Sequence, residues 1–82
     1  MQGTITLVNP RTGCFAVEVE AGDYTVIELT DTCEIEVGDI VSGNLHSPGG
    51  ESLRNVTRNE SMSVYVQGTH CAAETARAMV SR

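Results

Sequence analysis

The chain has 82 residues, enough for one domain that buries roughly 60–65% of its unfolded surface. Its 40% hydrophobic content excludes a disordered chain, and only three aromatics (Phe15, Tyr24, Tyr65) leave the core to Val, Ile and Leu. The net charge is −6, all five basic residues are Arg, and residues 1–40 carry −7 against +1 for residues 41–82, so the first half repels a polyanion.

Along the chain, short runs with apolar residues at alternate positions are separated by turn clusters, the pattern of an all-β barrel or sandwich. Thr4–Val8 is the first run, closed by Asn9-Pro10-Arg11-Thr12-Gly13. Cys14–Glu20 is the clearest: Phe15, Val17 and Val19 share one face, and Cys14, Ala16, Glu18 and Glu20 share the other. Ala21-Gly22-Asp23 turns the chain into Tyr24–Leu29, a run rich in β-branched residues. Thr30–Gly38 is polar and too short for a full helix. Gly38-Asp39 leads into a fourth strand, Ile40–Leu45, which ends at His46-Ser47-Pro48-Gly49-Gly50. Ser52–Thr57 reads as a fifth strand, because Asn55, Val56 and Thr57 are poor helix formers. Met62–Gln67 is a sixth run, with Met62, Val64 and Val66 alternating against Ser63, Tyr65 and Gln67. Beyond Gly68 the period changes: Ala72, Ala76, Met79 and Val80 fall on one helical stripe. A helix this short forms only by docking, either on its own barrel, plugging one open end, or on a second copy.

Four segments in order carry a resemblance: Gly3-Thr4-Ile5, Thr12-Gly13-Cys14-Phe15-Ala16-Val17, Val37-Gly38-Asp39-Ile40-Val41 and Gly50-Glu51-Ser52-Leu53-Arg54-Asn55-Val56. Their order and spacing resemble an oligonucleotide/oligosaccharide-binding (OB) barrel, and within that class the cold-shock domain, over about two-thirds of the chain. In that family, aromatics on the outer face of the second and third strands stack on bases, worth roughly 1–3 kcal/mol per base. The resemblance sets Cys14 and Ala16 at the first stacking positions and Thr25-Val26-Ile27-Glu28 at the second segment, where there is no ring. Glu18 and Glu20 extend from the same face. Stacking and phosphate neutralisation are both lost there, so the family's binding function does not simply carry over.

Arg54 and Arg58, with Asn55 and Asn59, are the one local concentration of positive charge and amide groups, near a loop of the kind that meets ligand in OB folds. The plainer reading is a solvated edge strand blunted by charge. Cys14, Cys33, His70 and Cys71 have the atom types of a zinc site but no ligand spacing, and adjacent His70-Cys71 rarely serve one metal. Three cysteines form no disulfide framework, and no apolar run reaches the roughly 20 residues that span a bilayer. The expected setting is a reducing cytoplasm, with an acidic, bacterial-type surface.

Together these readings predict a single domain over residues 1–82: a small five-stranded OB-type barrel (3–57), an additional strand (61–67) and a C-terminal helix (70–81). The expected function is a non-enzymatic module that binds a protein, or a second copy of itself, through the acidic strand face and the C-terminal elements. No cofactor, metal or membrane is expected. The alternative is a divergent single-stranded nucleic-acid binder using Arg54, Arg58, Asn55 and Arg11, disfavoured by net charge and the missing aromatics.

Overall fold

In the computed structural model, which describes residues 1–82, the alternating runs become six strands: β1 (Gln2–Asn9), β2 (Cys14–Val19), β3 (Tyr24–Leu29), β4 (Ile40–Ser42), β5 (Gly49–Asn55) and β6 (Glu60–Cys71). One helix follows, α1 (Ala73–Val80). The strands close into an antiparallel barrel in the order β1-β2-β3-β6-β5-β4, a small all-β OB-like architecture. β6 is a stave of the wall between β3 and β5, so the additional C-terminal strand belongs to the closed sheet. No helix is long and apolar enough to cross a membrane.

Inward positions fill the barrel as the two-residue period requires. Phe15 pairs with Ile27 and Ile27 with Val66, while Ile5 pairs with Val17; all five are fully buried. Val41, Leu53 and Met62 complete this layer from the other side. Leu45 lies past the end of β4 and is also buried, its carbonyl accepting a hydrogen bond from the buried Thr25 hydroxyl at 3.0 Å. The fourth strand stops at Ser42, short of the expected Leu45, because Gly43 takes φ 143° and leaves the strand conformation.

Three register shifts, one in β1 and two in β6, change which side chains face out. In β1, Ile5 pairs with Val17 but Leu7 with Ala16, so Thr6 is an extra residue. The phase flips there: Ile5 and Val8 face the barrel core, whereas Leu7 joins a second apolar cluster outside it. In β6 the register shifts between Val66 and Gly68 and again before Cys71, with His70 at φ 54°. Inward alternation through Met62, Val64 and Val66 thereby gives way to Cys71 on the outer side.

That outer cluster is where α1 docks. Ala76 and Val80 pack with Ala16 and Val26 on the outside of β2 and β3, bordered by Leu7, Tyr24, Cys71 and Met79. The helix lies across β1, β2 and β3 and does not plug a barrel end. Small residues make the approach possible: a Cβ on Gly68 would stand 3.3 Å from both Met79 Cε and Cys71 Sγ. The Asn9 side-chain amide donates to the Val80 carbonyl at 2.8 Å and caps the helix C-terminus. The helix starts at Ala73 and not at residue 70, because His70 and Cys71 still belong to β6.

Candidate functional site

Of the residues singled out from sequence, Arg58 and Asn55 meet, but around a carboxylate of their own chain. Asn55 is fully buried at the end of β5, and its amide donates to Asp39 Oδ2 at 3.0 Å. Arg58 Nε donates to the same oxygen at 2.9 Å, and the Glu36 amide N–H at 3.1 Å. Asn55 Oδ1 in turn accepts from the Arg58 backbone N–H at 3.1 Å. Arg58 is further ringed by Glu36 at 3.2 Å and Glu34 at 3.6 Å. The hydrogen bond to Asp39 pushes the Arg58 guanidinium up from its ordinary range. Burial by itself raises Asp39, but hydrogen bonds from Asn55, Arg58 and the Glu36 amide outweigh it and hold the carboxyl below its usual value. This cluster ties the 30–39 connection to the β5–β6 turn, and it leaves Arg58 little charge for an external anion.

Arg54 and Arg11 lie elsewhere. Arg54 is exposed on β5, donates to the Asn59 side chain and pairs across the sheet with Ser42, which faces Gln2 at the start of β1. Arg11 is exposed in the turn that follows Asn9 at the far end of that strand, roughly 23 Å along it. The four sequence candidates do not form one surface.

The cysteines are also dispersed. Cys14 pairs with Glu28 and Cys71 with Tyr24, at opposite ends of the six-residue β3, and Cys33 touches the Ser61 carbonyl at 3.6 Å. Burial, then the charges of Asp31 and Glu60, push the Cys33 thiol up, which disfavours the thiolate a nucleophile needs. His70 lies 3.4 Å from Asp23, an exposed contact.

The face carrying Cys14, Ala16, Glu18 and Glu20 is divided. Cys14 and Ala16 are buried, Ala16 directly beneath α1. Glu18 remains exposed on β2, and Glu20 just beyond its end. They line a shallow groove of about 300 Å³ with Gln2 and Thr4 of β1 and Ile40 of β4. Thr4 stands between Glu18 and Ile40 in the register, so these three side chains form one row across β2, β1 and β4. Gly3 lines the floor; a Cβ there would lie 2.8 Å from the Glu18 carbonyl oxygen. The contributions of Gln2, Thr4 and Ile40 were not legible in the sequence, where Ile40 reads only as the first residue of the fourth strand. The signal was present only as Val41, its inward neighbour, which leaves Ile40 to point out.

On another part of the wall, Tyr65 is 49% exposed on β6, between Glu28 of β3 and Gly50 of β5. It is an isolated ring beside a carboxylate. No protein-family model matches the chain, and comparison with curated proteins and with solved structures finds no significant match.

Proposed function

We propose that this chain is a non-enzymatic interaction module that binds a protein through the part of its acidic strand face left open by α1. The division of that face carries the reading: Ala16 is covered by the chain's own helix and Cys14 is buried, while Glu18 and Glu20 border an open groove. The cold-shock resemblance bears on this through position. Of the residues it sets at the stacking sites (Cys14 and Ala16, then Thr25–Glu28), Ala16 and Val26 pack against Ala76 and Val80, so a base has no access to them. Nucleic-acid binding through Arg54 and Arg58 is the competing reading; the enclosure of Arg58 by Asp39, Glu36 and Glu34 counts against it. Nucleophilic chemistry at Cys33 is also disfavoured, since burial and the charges of Asp31 and Glu60 hold its thiol toward the neutral form.

Photo-crosslinking tests the module directly. A photoreactive residue replacing Thr4 in the groove is expected to capture a discrete protein that then binds the purified chain in a two-component titration. The same residue replacing exposed Thr75 on α1 is expected to capture none. Tight, salt-sensitive binding of a labelled oligonucleotide, lost in Arg54→Gln, would reverse the order of the two readings.

A further inference from the structure

We infer that the β2–β1–β4 groove takes a cationic, extended protein segment, one whose Lys or Arg heads lie between Glu18 and Glu20 and whose aliphatic stems cover Ile40. This rests on the interaction-module reading and names its partner's chemistry. The charges argue for it first. Most carboxylates of the chain are engaged internally: Asp39, Glu36 and Glu34 by Arg58, Glu28 by Gln67, Glu51 by Asn44, Asp23 by His70 and Asp31 by the Thr32 amide. Glu18, on β2, and Glu20, in the turn just beyond it, both line the groove, and neither has a hydrogen-bond donor or a cation against it. The Glu18–Thr4–Ile40 row carries the groove across three strands, a shallow open bed that an extended chain fits.

The neighbouring surface suits the rest of such a segment. Gln2 and Thr4 supply donors and acceptors that make no side-chain hydrogen bond within the chain, and Ile40 is 39% exposed at the far wall. Lys and Arg lay their methylene stems on apolar surface while their heads stay solvated. A polyanion is repelled by the same two groups, and a second copy of this chain would bring Glu18 and Glu20 toward their own kind.

Fluorescence anisotropy with a labelled peptide alternating lysine and threonine tests the assignment. Saturable binding is expected at physiological salt, weakening as salt rises. The double variant Glu18→Gln/Glu20→Gln should weaken it about tenfold, as two exposed charge pairs would. Ile40→Ser should weaken it about threefold through lost contact with the stems. Glu28→Gln/Glu51→Gln removes the same charge from other parts of the wall and should leave affinity within about twofold. Unchanged melting curves establish that each variant is folded. Equal losses in the two double variants would mean a diffuse charge effect and overturn the site, as would absence of saturable binding. Should the Thr4 position still capture a protein partner while the peptide fails to bind, the cationic partner falls and the module reading stands. Failure of both removes both.

Discussion

Asp39 shows how much one side chain decides in a small barrel. It is 6% exposed, and three donors converge on its Oδ2, from Asn55, Arg58 and the Glu36 amide. Removing one partner leaves the others buried and short of a bond, which costs more than the bond's net worth. Asn55→Ala should therefore destabilise the fold by about 2 kcal/mol, read from urea unfolding midpoints. The folded-state Asp39 pKa lies below its unfolded value, so the carboxylate's contribution is complete above about pH 4. It is lost as pH falls from there through the folded-state value. Wild-type stability should drop in that acid range, and Asp39→Asn should show a flatter profile there. Thr25 presents a simpler case: its hydroxyl is the partner of the buried Leu45 carbonyl. Thr25→Val keeps the shape and removes that donor, an expected loss of about 1–2 kcal/mol in the same assay.

At the scale of elements, α1 depends on its dock. It spans eight residues, its N-cap Ala72 offers no side-chain hydrogen bond, and only Ala76 and Val80 are buried. An isolated helix of this length does not persist in water. Val80→Ala should cost about 1.5 kcal/mol of docking and raise hydrogen exchange at the α1 amides more than in the barrel strands. Gly68→Val attacks the same contact from the β6 side, because the added carbons press on Cys71 and Met79. Both variants should leave the far-UV β signal in place while loosening the helix. Protection of the helix amides that matches wild type in Gly68→Val would mean that α1 does not rest where Gly68 admits it.

The whole molecule is a closed wall with a split exterior. One side is covered by α1; the adjoining side, across β2, β1 and β4, is open and acidic. Net charge of −6 then acts on encounter, not on fold, favouring cationic partners at long range and slowing approach of nucleic acid. A labelled single-stranded oligonucleotide should show no saturable binding near physiological salt, measured by anisotropy over a salt series. Closure also has a structural return. Strand edges that invite pairing with other chains are joined to one another, with the short β4 bridging β1 and β5.

Local pattern determined the strands, because an alternating run such as Phe15-Ala16-Val17-Glu18-Val19 has one apolar face wherever it sits. It also determined the helical period after Gly68 and the acidic character of the first forty residues. Tertiary structure alone decided that β6 enters the wall between β3 and β5, since strand order depends on pairings distant in sequence. The bulges at Thr6 and near His70 were equally hidden: each adds one residue to one strand relative to its partner, and a single strand carries no mark of its neighbour's count. Those bulges turn Leu7 and Cys71 outward and so build the bed for α1. Arg58 reads in sequence as free charge; only the fold brings Asp39, Glu36 and Glu34 to it across some twenty residues of chain, because ion pairs follow distance in space.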